Sequence, residues 1–292
     1  MGNPLVSVMV VAHDAERTLG LALSSVLAQT MEDWQCLVVD DGSSTPVSAL
    51  VEAMGDARFE FVRLDENRGR GHARQRGLEA ARGRLLAILD ADDWMYPERL
   101  EAEVACLRSE PRAKLVGCSM VVEDLGHRIF GVQETAKADH WKLGTVPFSF
   151  APMLAEMTLA RKIGFDSRLT RSEDVLFLAR ALENPWVCVS TPLYAYNPSP
   201  ATRTSTLESY RCSRMAYAHC RSSYPFAARR LELAYRFRQI VHGLCPDPVS
   251  QRLTAWSRHR MARAPTAAER HAHYRALETV MRLAKSLGVK PT

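Results

Sequence analysis

Apolar positions fall into short solid blocks separated by polar loops. Leu5-Val6-Ser7-Val8-Met9-Val10-Val11 is rich in β-branched residues and predicts a first strand, ending at the polar loop Ala12-His13-Asp14. Thr18 can then cap a helix in which Leu19, Leu23, Val26 and Leu27 share one face. Cys36-Leu37-Val38-Val39 predicts a second buried strand, cut off by Asp40-Asp41-Gly42-Ser43-Ser44. A helix over about 46–54 leads to a third strand at Phe59–Val62. The basic loop Asn67-Arg68-Gly69-Arg70-Gly71 precedes a helix with the small face Ala73, Gly77, Ala80 and Ala81. Leu85-Leu86-Ala87-Ile88-Leu89 is a further apolar run that stops at Asp90-Ala91-Asp92-Asp93. Strands that are apolar throughout and alternate with helices predict an α/β protein with a mostly parallel sheet covered on both faces.

Beyond the carboxylates, Pro97 opens a helix through about Ser109, with Glu98 in its first turn. Lys114–Cys118 reads as a strand, and Met120–Val122 with Arg128–Val132 as a hairpin about Asp124-Leu125-Gly126. Residues 135–160 show no clear period; Trp141, Pro147 and Phe148 suggest a shaped loop beside a pocket. Ser172-Glu173-Asp174 opens a helix over Val175–Leu182, where acids also suit the helix dipole without any further role. A short strand, Trp186–Val189, leads to Tyr194, Tyr196 and Asn197 in a loop of Pro and Ser. The rest is helical: Leu207–Ser223 and Phe226–Gly243 broken at Tyr224-Pro225, a helix started by Asp247-Pro248, and one started by the capping box Thr266–Glu269 and closed by Gly288.

Charge adds a division that hydropathy does not show. From Arg203 onward there are 17 Lys and Arg against 5 Asp and Glu, a net of +12, whereas residues 1–202 carry 21 against 28, a net of −7. This shift places a boundary near residue 205, ahead of a basic helical extension over 206–292. No apolar run reaches the length of a membrane span, and Met1-Gly2-Asn3-Pro4 lacks the regions of a signal peptide. Seven scattered cysteines suggest reduced thiols, so the expected location is cytoplasmic. Cys212, His219 and Cys220 lack a fourth partner at zinc spacing.

Candidate chemistry lies at the strand ends. Three acids closing a buried strand are costly unless something positive sits among them. One answer is a divalent cation on oxygen ligands with phosphates as its other partners, and the other is a polar loop that happens to follow a strand. His13-Asp14, Asp40-Asp41 and Asp90–Asp93 all fall where parallel sheets bind ligands. Gly-x-Gly-x-x-Gly is absent after the first strand, which argues against an ordinary dinucleotide site.

The run Val6–Val11 and its loop, Val39-Asp40-Asp41-Gly42-Ser43, Asn67-x-Gly69 with Ala73-Arg74, Leu89-Asp90-Ala91-Asp92-Asp93, and Glu173-Asp174 together resemble the family-2 inverting glycosyltransferases. The resemblance runs in order over about residues 5–205. It implies a GT-A fold over residues 1–205: a Rossmann-like sheet flanked by helices, with a nucleotide-binding half at about 1–110 and an acceptor half at 111–205, here followed by the C-terminal helical extension. It also implies that Val11 and His13 border the base, with Asp14 alongside and Asp41 bonded to a ring nitrogen. Asp90 and Ala91 would lie near the ribose, Arg74 would contact phosphate or base, and Asp92 would ligate Mn²⁺ or Mg²⁺ on the diphosphate. Asp174 would be the general base, oriented by Glu173, and Trp141 and Tyr196 would face the acceptor. A nucleotide-sugar donor, with a UDP-sugar favoured, and a glycan or lipid-linked acceptor follow from the same resemblance.

The sequence also departs from the family pattern. His13 stands where a stacking tyrosine is usual, and Gln75 where an asparagine follows Ala-Arg. A Gln-x-x-Arg-Trp motif, carried by processive members, is missing, which favours single additions. In the tail, Arg211, Arg214, Arg221, Arg229, Arg230, Arg236, Arg238, Arg258, Arg260 and Arg263 are interleaved with aromatic residues. They fit either an anionic membrane surface, peripheral at the inner face of the cell membrane, or a helical cap paired with the acidic front. No nucleic-acid-binding motif accompanies them, so no nucleic-acid partner is expected. Two rival readings remain, a nucleotidyltransferase and a non-catalytic module for sugar nucleotides or lipid surfaces.

Overall fold

The computed structural model describes residues 2–136, 143, 146–198, 202–244 and 262–289. Its sheet opens with β1 (Val6–Ala12), β2 (Trp34–Asp40), β3 (Phe59–Arg63) and β4 (Leu85–Asp90), all parallel in the spatial order β3-β2-β1-β4. Helices α1 (Leu19–Leu27), α2 (Ser48–Glu52) and α3 (Arg70–Ala80) make the crossovers. β1 shows why its run is apolar throughout: Val8 and Val10 enter a core shared with α1, while Met9 enters the core on the opposite face. Gly77 of α3 lies directly against the Met9 side chain, so the small face lets the helix approach the sheet.

The second part of the sheet departs from simple α/β winding. After β5 (Trp94–Met95) and α4 (Arg99–Ser109), β6 (Leu115–Glu123) and β7 (Ile129–Gln133) form the hairpin. β6 is one buried strand, not the two pieces expected at Lys114–Cys118 and Met120–Val122. β8 (Met153–Glu156) slots antiparallel between β4 and β6, inside the stretch where no period was visible, and runs straight into α5 (Met157–Ile163). β9 (Trp186–Tyr196) continues well past Val189, because its register against β6 slips where Pro192 offers no N–H for a ladder bond. Among the described residues six of the nine strands run in one direction, and the spatial order ends β4-β8-β6-β9-β5.

α6 (Glu173–Ala181) begins two residues earlier than its periodicity predicts. α7 (Arg203–His219) and α8 (Pro225–Leu244) form an antiparallel pair broken at Tyr224-Pro225. α9 (Ala267–Ser286) carries the expected capping box between Thr266 and Glu269, and Gly288 follows its end with φ +71°. Thr18, by contrast, makes no side-chain cap to α1. The helix expected from Asp247-Pro248 lies outside the described residues, as do Trp141, Arg258 and Arg260.

The tail is not a free appendage. α9 packs along α1, where Ala276, Leu277 and Val280 join the core of β1 and β2. Its buried His273 sits 2.9 Å from Glu123 of β6 through Nε2, and its Nδ1 is 2.7 Å from the Tyr96 hydroxyl. The Trp94 indole donates to the same Glu123 carboxylate at 2.6 Å. With His127 also in contact, this carboxyl is held below its usual range against the opposing effect of burial.

Candidate active site

Strands β2, β1 and β4 end at one level. Ala12 faces Asp40 and Val11 faces Asp90 across the sheet. The strand order reverses direction between β1 and β4, so a crevice opens beyond these three ends.

The loops lining the crevice are tied to one another by carboxylates. Asp40 is buried; it accepts from the Ser43 amide at 2.8 Å and from Arg63 at 2.6 Å. Asp41, also buried, accepts from the backbone N–H groups of Arg68 (3.1 Å) and Gly69 (2.9 Å). Its first task in this structure is therefore to hold the basic loop. Asp14 has φ +49°, donates through its amide to Ser43 Oγ at 3.0 Å and accepts from the Ser44 amide at 2.8 Å. That backbone hydrogen bond lowers its carboxyl. His13 lies exposed beside it, 3.5 Å from the Asp14 carboxylate, and Val11 is half-buried.

Gly42 and Gly69 make these approaches possible. Gly42 has φ +65°, and a Cβ there would lie 2.5 Å from the Asn67 nitrogen. Gly69 has φ +89°, and its Cβ would lie 2.8 Å from the Thr170 Cα, against the segment that leads to Glu173. The first turn of α3 is thereby pressed onto residues 166–170. Gln75, at the position where asparagine is usual, accepts from the Phe165 amide at 2.9 Å and so anchors that same segment.

Arg74 joins the two halves of the site. Its side chain is 2% exposed; one guanidinium nitrogen donates to Asp90 at 2.7 Å and another to Glu173, while the group lies 4.7 Å over the Phe150 ring. Residues 74, 90 and 173 thus meet at one buried cation. Arg70, one helical turn earlier, comes within 3.4 Å of the same Glu173 oxygen. Burial works against the Arg70 charge, but Glu173, Asp174, Asp90 and Asp92 more than offset it and raise its affinity for its proton. Burial likewise pushes the Glu173 carboxyl up, and Arg74 and Arg70 pull it back. Its Oε2 is buried with no hydrogen-bond partner among the described residues.

The three acids after β4 have separate surroundings. Asp90 pairs with Arg74, and Ala91 is buried in the core. Asp92 is half-buried. Asp93 is buried, accepts from the Tyr194 hydroxyl at 2.7 Å and from the Asn197 amide at 2.7 Å, and is raised by burial and by its two acidic neighbours. Tyr194 also accepts from the Asp90 amide at 3.2 Å, so one hydroxyl fixes both ends of the turn. Tyr196 lies two residues further along β9, half-buried.

Asp174 sits in the first turn of α6, half-buried, next to Glu173. The preceding Ser172 is in the left-handed region at φ +59° and does not cap the helix. Its hydroxyl turns instead to the Ser209 carbonyl (3.2 Å) and Ser213 (2.9 Å) on α7. Such strain in a non-glycine residue is typical of functional loops. The acids at this helix start are therefore not simply dipole partners, since Glu173 is committed to the arginines of α3.

Sequence reasoning passed over three contributors. Arg70 was visible only as part of a basic loop, although its four-residue spacing from Arg74 puts both on one helical face. Tyr194 acts on Asp93 across 101 residues, which leaves no local signal. Arg99, fully buried, donates to the carbonyls of Ile88 (2.9 Å), Ala151 and Met153 (both 3.2 Å), where β4 and β8 separate.

A parallel sheet with acids and arginines gathered where its strand order turns is the architecture of a nucleotide-binding α/β protein. The family identity is more specific. The chain belongs to glycosyl transferase family 2, whose model matches residues 7–162. Among its relatives, the succinoglycan biosynthesis protein ExoO of Rhizobium meliloti is 32% identical over 66% of this chain and 60% of its own length. The UDP-Glc:alpha-D-GlcNAc-diphosphoundecaprenol beta-1,3-glucosyltransferase WfgD of Escherichia coli is 35% identical over 37% of this chain and 42% of its own. The chain therefore spans about 60% of ExoO and less than half of WfgD. The crystal structure of S. aureus TarS 1-349 in complex with UDP-GlcNAc superposes with a TM-score of 0.65 at 18% identity, covering 98% of this chain and 84% of that one. The fold is the GT-A fold.

Proposed function

We propose that this protein is an inverting glycosyltransferase. It moves one sugar from a nucleotide-diphosphate sugar, preferably a UDP-sugar, to a glycan or lipid-linked glycan at the cytoplasmic face of the membrane. The observation that carries the reading is the Arg74 guanidinium shared by Asp90 and Glu173, which couples the donor crevice to the acid pair on α6. WfgD, named for a UDP-glucose donor, a diphosphoundecaprenol-linked acceptor and a β-1,3 product, supports the donor and acceptor classes. In this reading the transferase unit is residues 1–205, and 206–292 form the helical extension.

The chemistry assigned is a single displacement. Asp174 takes the proton from the acceptor hydroxyl as its oxygen bonds to the anomeric carbon, and the bond from that carbon to the diphosphate oxygen breaks with its electron pair. Attack opposite the leaving group inverts the centre. Glu173, committed to Arg74 and Arg70, orients the turn that carries Asp174. Val11, His13, Asp14 and Asp41 border the base, with Asp90 and Ala91 at the ribose, while Tyr196 and Trp141 belong to the acceptor side.

The residues fit a hard divalent ion, Mn²⁺ or Mg²⁺. Asp92, half-buried in the acid turn after β4, would offer one carboxylate, and such ions are commonly completed by substrate phosphates and water. Bound there, the ion would supply Lewis-acid stabilisation of the leaving diphosphate.

The test offers purified protein a panel of nucleotide sugars with Mn²⁺ and an acceptor mixture, and scores release of nucleoside diphosphate. Turnover with one donor, abolished in Asp174→Asn while nucleotide binding persists, is the expected outcome. A variant as active as the wild type would remove Asp174 from the mechanism.

A further inference from the structure

α8 turns an apolar face outward. Phe226 is 91% exposed, Leu233 57%, Phe237 68%, Ile240 54% and Leu244 81%. At 3.6 residues per turn these five positions fall within an arc of about 60° and form a stripe about 27 Å long. The opposite face is occupied: Ala228 and His242 are buried, and Tyr235 stacks edge-on to Tyr210 of α7 at 5.7 Å. The stripe is therefore not the packing face of the helix, and an ordinary solvated helix would carry polar side chains there.

The edges of the stripe are basic. On the same helical geometry Arg230 lies along one edge and Arg229 and Arg236 along the other, all exposed. Glu232, the one acid of α8, is turned away and ion-paired to Arg221. The helix is fixed at its far end as well, where Arg203 donates to the carbonyls of His242 and Gly243.

From this apolar stripe rimmed by arginines we infer that α8 is a membrane-docking surface: it lies in the plane of an anionic phospholipid bilayer, with Phe226, Leu233, Phe237, Ile240 and Leu244 among the acyl chains and the arginines at the phosphates. This is the pattern of interfacial amphipathic helices. A second copy of the chain is the poorer occupant, because a contact along the stripe would bring the like-charged arginines of two copies together. No described helix is long and apolar enough to cross a membrane.

The surface also has a bearing on the acid loop. α7 lies between α8 and that loop: its Glu208 accepts from Thr170 at 3.0 Å, and its Ser209 and Ser213 engage Ser172. Among the described residues α7 thus stands alone between α8 and the turn bearing Asp174. That arrangement suits an acceptor whose sugar stands just above a lipid, a use that rests on the transferase reading; the docking itself does not.

The experiment sediments the full-length protein with vesicles of neutral phosphatidylcholine, and with vesicles carrying about 30 mol% phosphatidylglycerol. Binding to the anionic vesicles at least about tenfold stronger, and weakened by salt, is expected. Leu233→Glu with Phe237→Glu should abolish it while leaving the melting temperature and the release of nucleoside diphosphate with a soluble acceptor unchanged. Arg229→Gln, Arg230→Gln and Arg236→Gln keep the stripe and should weaken anionic binding about a hundredfold, at roughly fivefold per charge. Equal binding to both vesicle types, no binding to either, or full binding by the Glu variant overturns the proposal. So does a dimer in sedimentation velocity that the Glu variant dissolves, which would assign the stripe to a second copy. Loss of turnover with intact vesicle binding would count against the transferase reading alone.

Discussion

Removing Arg74 should unbalance the site in a way that pH can reveal. Arg74→Met keeps much of the volume and the contact with Phe150, but withdraws the cation from Asp90 and from the buried Glu173. Breaking a buried pair by deleting one partner destabilises by about 3–5 kcal/mol, because the remaining charge is left in a poor solvent. For a chain of this size that is a fall in melting temperature of roughly 5–8 °C. Arg70, at 3.4 Å, offsets part of it. Burial already raises the Glu173 carboxyl above its ordinary 4.5, and loss of Arg74 raises it further. A carboxyl whose folded value exceeds its unfolded one binds a proton on folding, so stability falls as pH rises from about 4.5 towards the folded value. The deficit relative to the wild type should therefore be largest near neutral pH and shrink towards pH 4.5. Adding Glu173→Gln, a neutral isostere, should recover about 1–3 kcal/mol of it. Urea denaturation of the wild type, both single variants and the double variant, at several pH values, measures this directly. Strict additivity of the two substitutions, or a deficit that does not change with pH, would refute the argument.

Tyr194→Phe should cost about 1–3 kcal/mol in a thermal melt and weaken donor binding in a nucleotide titration, because Asp93 and the Asp90 amide lose their shared hydroxyl. Gly69→Ala should cost about 1–3 kcal/mol or more and lower turnover without touching any polar group, since it combines φ +89° with a clash at Thr170; equal stability by melting would show that the loop can move aside. The Arg263 guanidinium holds Glu269 down to about 2, so its stabilisation is present above 4.5 and is lost as pH falls through about 2. Glu269→Gln should reduce stability near pH 7 by about 0.5–2 kcal/mol and flatten the acid limb, read by circular dichroism.

The parallel half of the fold was legible because each strand there is a solid apolar run bounded by turn residues, and each crossover helix has its own face. The other half was not, for different reasons at different strands. β8 is only four residues long and acquires its strand character from two neighbours, β4 and β6. β9 passes through Ser190-Thr191-Pro192, which reads locally as a stop, and continues only because β6 tolerates a bulge there. The strand ends could be read from clustered acids, but their partners could not. That Asp41 serves the Arg68 and Gly69 amides, and that Arg74 reaches Glu173 across 99 residues, are facts of tertiary structure. The charge asymmetry was visible in the tail. The return of α9 to the sheet was not, because His273 looks like any other histidine until it meets Glu123.

Synthesis on the ribosome imposes an order on the Asp90–Asp93 turn. Asp93 receives its bonds from Tyr194 and Asn197, the latter 104 residues later in the chain. At about 5–20 residues per second, roughly 5–20 s separate the emergence of the turn from that of the residues that set it. During that interval β1 to β4 can pair among themselves, but the carboxylates at their ends remain unanchored. The geometry of this acid turn is thus set only after β9 has emerged, late in synthesis.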